Sequence, residues 1–95
     1  MQRKAIGLIE TVGFASALIA ADTSLKSASV SLVKMTSVIG IGKSIGITVY
    51  LTGNVAAVES AINNANSKIS ALGTLVSAHV IAGIDAQTEA KLVQA

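Results

Sequence analysis

A run of apolar residues at helical spacing constrains this 95-residue chain more than any other feature. The run begins after a turn at Thr52-Gly53-Asn54 and ends at Gly73, and its apolar members recur at steps of three and four. They are Val55, Val58, Ile62, Ala65, Ile69 and Leu72. This spacing predicts an amphipathic helix with one buried face. We expect Asn54 to cap its first turn and Gly73 to end it.

A second helix is predicted nearer the N-terminus, between two strands. Ala5 to Glu10 is a short apolar run that suits a buried strand, and Val30 to Thr36 is rich in β-branched residues. Between them, Phe14 to Ser27 carries apolar residues at helical steps. These residues are Phe14, Ala17, Leu18, Ala21, Leu25 and, just beyond, Ala28.

The remaining segments complete a recognisable order of elements. Ile45 to Thr52 alternates apolar and polar residues and predicts a strand, joined to the preceding strand by a loop over Ser37 to Ser44. Leu75 to Ala82 predicts a last strand, and Asp85 can cap a short helix that reaches Val93. The order β-α-β-β-α-β plus a terminal helix predicts an α+β, ferredoxin-like antiparallel sheet with two helices on one face. We expect one domain over residues 1–95, with the other sheet face uncovered.

The balance of apolar and charged residues predicts association. The chain is 52% hydrophobic and 13% charged, against roughly 25% charged in an average soluble domain. Such a composition excludes disorder, which needs low hydrophobicity and high charge. A domain this small with so few charges is expected to cover part of its apolar surface with other subunits. We therefore expect an obligate oligomer.

The same composition argues against several classes of function. With no cysteine, thiolate metal sites and thiol catalysis are excluded. A net charge of +2 is too small to indicate a nucleic-acid partner, and two aromatic residues offer no platform for stacking bases. The uncharged stretches contain too many polar residues for a membrane span. We expect a soluble, cytoplasmic protein without nucleic-acid or membrane partners.

Local motifs predict neither an enzyme nor a cofactor. Gly42-Lys43-Ser44 resembles the end of a phosphate-binding loop, but Ser37 stands where that motif requires its first glycine. His79 is the only histidine and has no second ligand at metal-binding spacing, so a core or interface position is favoured. No nucleophile elbow of the G-x-S-x-G type occurs. We predict no catalytic residues, no metal and no cofactor.

Several blocks of sequence, in order, resemble the bacterial microcompartment shell proteins. The blocks are Ala5 to Thr11, Ala20-Ala21-Asp22 with Lys26, Val30 to Val33, Gly53 to Val58, and Val76 to Ile81. The resemblance implies a cyclic homohexamer that tiles the shell of a metabolic organelle and has a central pore. It also implies other shell proteins and encapsulated enzymes as partners. Because only one such domain fits this length, hexamers are favoured over the trimers of tandem-domain relatives.

The resemblance also assigns candidate sites. The family's pore loop joins the second and third strands and corresponds to Ile39, Gly40, Ile41, Gly42, Lys43 and Ser44. This loop is several residues longer than the family pattern. Lys26 matches the family's hexamer-edge lysine, whereas Ala82 and Gly83 replace the proline and arginine that normally follow the last strand. Assembly through the usual edge contact is therefore expected to be weakened at Gly83.

Three functions remain open at this point. The first is a structural shell tile with a selective pore. The second is a minor shell component that binds a metabolite or docks cargo through its enlarged pore loop. The third is a ferredoxin-like small-molecule sensor. The oligomer and the layers that it forms would distinguish among the three.

Overall fold

The fold is a four-stranded antiparallel sheet with two helices. A computed structural model describes residues 4–41, 44–83, 88 and 91. Its elements are β1 (Lys4–Val12), α1 (Phe14–Ser27), β2 (Ser31–Ile41), β3 (Ser44–Asn54), α2 (Val55–Leu72) and β4 (Leu75–Ile81). The predicted α+β class and the β-α-β-β-α-β order are confirmed. The short helix predicted from Asp85 to Val93 falls mostly outside the described residues.

The strands lie in the order β2-β3-β1-β4, with every neighbouring pair antiparallel. This order belongs to the ferredoxin-like arrangement predicted from the sequence. Alternate residues of β1 and β3 face the helices and join the buried core, among them Ala5, Ile9, Val49 and Leu51. Helix α1 packs against β1 and β3, and α2 also packs against β4. The helices therefore cover one face of the sheet.

Helix α2 packs on the sheet through its large residues. Val58, Ile62 and Ile69 are buried, as the periodicity predicts, whereas Leu72 in the last turn is 54% exposed and lies off the predicted buried face. Val58 and Ile62 approach β1 closely at Gly7, where an added Cβ would lie 2.9 Å from both Val58 Cγ1 and Ile62 Cδ1. Gly7 therefore provides the space that α2 occupies.

Both ends of α2 are closed as predicted. The Asn54 side chain accepts a hydrogen bond from the Ala57 amide at 2.8 Å. Gly73 adopts a left-handed conformation, φ 71°, and its amide donates to carbonyls of the last turn. Asn54 and Gly73 thus fix the length of the helix.

Helix α1 has the predicted bounds but an unexpected orientation. Its large apolar residues point away from the core, with Phe14 61%, Leu18 49% and Leu25 43% exposed. The residues that it buries are small, namely Ser16, Ala17, Ala20, Ala21 and Ser24. Ser24 satisfies its buried hydroxyl by donating to the Ala20 carbonyl at 2.8 Å. Small buried residues let α1 lie close to the sheet and α2.

The predicted loop over Ser37 to Ser44 is instead mostly strand. Strand β2 continues to Ile41 and β3 begins at Ser44, with Ile39 paired to Ile45. The glycines of this segment indicated a loop, but its β-branched residues Val38, Ile39 and Ile41 are good strand formers. Gly40 lies where the register shifts between Ile39 and Ile41, which is a usual position for glycine in a strand.

Candidate pore and assembly sites

The predicted pore segment occupies one end of the sheet, here called the tip end. Val12, the last residue of β1, pairs with Gly46, and the β2–β3 hairpin continues past that pair. Ile39, Gly40 and Ile41 belong to the end of β2, and Ser44 begins β3. Gly42 and Lys43 lie outside the described residues. The hairpin therefore projects the predicted pore segment beyond the end of β1.

The two predicted edge residues lie at the opposite end, here called the rim end. Lys26 is in the last turn of α1, where a cation interacts favourably with the helix dipole. Its Nζ lies 2.9 Å from Asp22 Oδ2, and both side chains are exposed. Gly83 follows β4 with φ 63°, a conformation that side-chain-bearing residues seldom adopt. The position at which the resemblance implies an arginine in related proteins is a left-handed glycine in this chain.

Strand pairing establishes that Lys26 and Gly83 share the rim end. Ser31 pairs with Thr52, Thr52 with Ile6, and Ile6 with Ile81, which forms one row across the sheet. Helix α1 ends shortly before this row, and Gly83 follows shortly after it. At about 3.3 Å per residue, the strand from Ile45 to Thr52 separates the two ends by roughly 23 Å. The candidate pore and edge sites are therefore distinct.

Exposed large apolar residues form two groups on opposite sides of the molecule. We call one group the β2 flank, because α1 and the hairpin carry it beside β2. Its members are Phe14, Leu18, Leu25, Leu32 and Ile45. We call the other the β4 flank, which consists of Leu72, Val76 and Ile81. Strands β2 and β4 are the two edges of the sheet, so the two flanks lie at opposite edges.

The β2 flank contains a groove at the tip end. Its volume is about 570 Å³, and it lies between the start of α1 and the β2–β3 hairpin. The lining residues are Gly13, Phe14, Met35, Thr36, Ser37, Ile45 and Ile47. None of these described lining residues is ionisable, and the groove therefore favours an apolar occupant.

Several polar side chains lie on the open face of the sheet. Lys34 lies over the Tyr50 ring, 5.0 Å from its centroid, and Ser77 donates to Glu10 at 2.8 Å. His79 is exposed on β4, so the alternative of a core histidine is wrong. Within the described ranges, no three metal-ligating side chains cluster, and no helix is long and apolar enough to cross a membrane.

Comparisons with known proteins identify the family. Residues 5–84 match the BMC domain. The chain is 38% identical over 81 residues to the bacterial microcompartment shell protein PduA of Citrobacter freundii, which covers 85% of this chain and 83% of PduA. It is also 38% identical over 80 residues to the carboxysome shell protein CcmK2 of Synechococcus elongatus, covering 82% of this chain and 74% of the relative.

A solved structure agrees with these relatives. A microcompartment protein from Desulfitobacterium hafniense superposes with a TM-score of 0.84 at 25% identity, covering 98% of this chain. The chain spans 48% of that longer protein. The fold and the matched domain define a shell-protein class, and the chain belongs to the BMC-domain family of bacterial microcompartment shell proteins.

Family membership decides three of the sequence predictions. The resemblance to microcompartment shell proteins is confirmed, and with it the predicted location in a microcompartment shell. Shell proteins of this family are structural, which confirms that the chain is not an enzyme.

Sequence reasoning missed the two flanks and the groove, because it did not establish which side of α1 faces the core. The sequence does contain a pattern that indicates the buried side of α1. Ser16, Ala17, Ala20, Ala21 and Ser24 also recur at helical steps. They form a small-residue stripe as periodic as the large one.

Proposed function

We propose that this protein is a structural shell tile, with one BMC domain per subunit, that assembles as a cyclic homohexamer around a central pore. The observation that carries the proposal is the pair of exposed apolar flanks on opposite edges of the sheet, in a chain that belongs to a family of shell proteins. A ring covers both flanks at once. Surface of this kind is costly to leave in water and typical of an interface.

In the proposed ring, the tip ends converge on the axis and the hairpins line the pore. Ile39 to Ser44 then forms its wall, and the glycines at 40 and 42 allow close approach of six copies. Six Lys43 ammonium groups directed inward favour anions such as carboxylates or phosphates and oppose cations. Mutual repulsion among the six lysines favours the alternative, in which they splay towards solvent.

The rim end supplies the lateral contacts to other shell proteins. Lys26 is exposed there, beside Asp22, and Gly83 offers only backbone where the family has an arginine. A charge-assisted contact with one partner missing is weaker and more sensitive to salt. We expect layers that form at low ionic strength and disperse as salt is added.

Gly83 also favours a second candidate function. A hexamer that tiles weakly suits a minor shell component, which binds a metabolite or docks encapsulated enzymes through its longer hairpin. The positive φ of Gly83 disfavours restoring the edge contact by a simple side-chain substitution.

Sedimentation and electron microscopy test these proposals together. Hexamers that form extended layers at low salt support the tile, and isolated hexamers at every salt concentration support the minor component. A stable monomer at micromolar concentration overturns both. For the rim, Lys26→Ala is expected to reduce layer formation, with Lys68→Ala, an exposed lysine of α2, as the matched control. Equal layers from both variants would remove Lys26 from the contact.

The pore is tested by flux through reconstituted layers. Lys43→Glu is expected to lower anion flux and raise cation flux. Lys4→Glu makes the same charge change at an exposed lysine of the rim end, away from the predicted pore, and serves as the control. An unchanged ratio of anion to cation flux in Lys43→Glu removes Lys43 from the pore wall.

A further inference from the structure

We infer that Gly13 positions the pore segment, because its backbone holds the root of the β2–β3 hairpin to β1 and also begins α1. This inference rests on the proposed pore and names a residue that determines its geometry from outside the pore wall. Gly13 is a positioning residue, since it lies outside the segment from Ile39 to Ser44.

A hydrogen bond lies at the place where the hairpin leaves the sheet. The Gly13 amide donates to the Ile45 carbonyl at 2.8 Å. Ile45 pairs with Ile39 across the hairpin, and Ile39 is the first residue of the predicted pore segment. The last pair between β1 and β3 joins Val12 to Gly46, so the Gly13 bond is the next link between these strands. Beyond it, the described strand pairs of the hairpin join β2 only to β3.

The carbonyl of Gly13 belongs to the start of α1. It accepts the Ala17 amide at 3.4 Å, in the first turn of the helix, and the Thr11 hydroxyl at 3.4 Å. No side chain caps this end of α1. The hairpin root and the start of α1 are therefore tied to the same residue.

The backbone angles of Gly13 allow one residue to serve both elements. Gly13 has φ 90° and ψ 151°, a region that is essentially restricted to glycine. A Cβ added there would contact nothing within 4 Å, so the constraint is the backbone angle and not the space. A residue with a side chain favours negative φ, which turns the amide away from Ile45 or the carbonyl away from Ala17.

The end of β1 is also held on its other side. The Val12 amide donates to the Thr74 carbonyl at 2.9 Å, at the start of β4. Val12 and Gly13 thus donate to opposite neighbours of β1, which lies between β3 and β4. The end of β1 is a fixed base, and the Gly13 bond sets where the hairpin stands on it.

An ester at position 13 tests this bond without changing a side chain. Chemical synthesis with glycolic acid in place of Gly13 replaces the amide nitrogen by oxygen and removes the donor. The matched control is an ester at Val30, whose amide donates to the Ala28 carbonyl at 2.9 Å at the rim end. We expect the Gly13 ester to speed hydrogen exchange of the peptide that covers residues 38–46 about two- to tenfold. The Val30 ester should leave that peptide unchanged.

The pore readout is the ratio of anion to cation flux through reconstituted layers. We expect the Gly13 ester and Gly13→Ala to move this ratio towards one, because a displaced hairpin no longer holds the pore segments in one arrangement. D-alanine at position 13 carries the same methyl group but favours positive φ, and it is expected to restore the parent ratio. The Val30 ester should keep the parent ratio.

Hydrogen exchange and flux together separate the inference from the proposed function. An ester at Gly13 that speeds exchange equally throughout the sheet gives this residue a general role in stability and overturns the inference. Faster exchange of the hairpin with an unchanged flux ratio also overturns the inference but leaves the proposed pore. Parent layers that pass no ions, or that pass them without preference, overturn the proposed selectivity and the inference together.

Discussion

The two helices lie side by side on the same sheet face but divide their residues in opposite ways. Helix α2 buries its large residues except Leu72 at its end, and it is closed at both ends, by Asn54 and Gly73. Helix α1 buries alanine and serine, exposes Phe14, Leu18 and Leu25, and follows Gly13 without a side-chain cap. An apolar stripe at helical spacing therefore does not by itself identify the face that packs on the core of the same chain.

This difference gives the two helices different roles, one in the stability of the subunit and one in its assembly. The apolar surface of α2 stabilises the subunit, whereas the large residues of α1 remain available to another copy. Substitutions in α2 are therefore expected to change the free energy of unfolding at every protein concentration. Substitutions on the outer side of α1 are expected to act mainly where the protein assembles, because oligomer stability depends on protomer concentration.

The largest expected effect is at Ile69, a buried residue near the end of α2. Ile69 is fully buried, so Ile69→Ala should lower the free energy of unfolding by about 2–5 kcal/mol through lost burial and a cavity. Urea unfolding over a series of protein concentrations measures it. A loss seen only at high concentration would show that α2, too, serves assembly.

Gly7→Ala is expected to have the next largest effect. The new Cβ would lie 2.9 Å from Val58 Cγ1 and Ile62 Cδ1, and overpacking of this kind costs about 1–3 kcal/mol. Thermal unfolding measures the loss. Recovery in Gly7→Ala/Ile62→Val, which shortens one of the two contacted side chains, would confirm the cause, and a neutral Gly7→Ala would contradict it.

Removal of the α2 cap should cost less. Asn54→Ala deletes the acceptor of the Ala57 amide, which is expected to lower stability by about 1 kcal/mol. Asn54→Asp keeps an acceptor and is the control. If Asn54→Ala and Asn54→Asp unfold at the same urea concentration, the cap does not stabilise α2.

The smallest effect on the subunit is expected from Leu18→Ala in α1. About half of this side chain is already exposed, so the loss at the lowest protein concentration should stay under about 1 kcal/mol. The loss should grow with concentration, because the parent gains a contact on assembly that the variant lacks. A loss independent of concentration would place Leu18 in the subunit core and remove it from the interface.

The features that depend on residues close together in the chain were predicted best from the sequence. Periodicity, an asparagine cap and a terminal glycine act within a few residues, so the bounds of α1 and the ends of α2 match their predictions. The same rules misread the hairpin. Gly40 and Gly42 indicated a loop, whereas pairing with β3 extends β2 to Ile41.

The sites were predicted less completely, because they depend on which elements lie together. Lys26 was recognised as an edge residue from its neighbours in sequence, and that role stays a prediction. Nothing local indicates that Gly83 shares the rim end with Lys26, since strand pairing brings the ends of α1 and β4 to the same height. The groove was missed for the same reason: Phe14 and Ser37 are far apart in the chain and meet only in the fold.

The antiparallel hairpin has a consequence for how proteins of this kind can diversify. In the proposed ring the strands run along the radius. The length of the hairpin therefore sets how far each subunit reaches towards the pore axis. Each residue pair inserted in register at its turn moves the tip inward by about 3.3 Å, while the flanks and rim keep their positions. Channel width and lattice contacts can then change independently, and subunits with different channels can share one lattice.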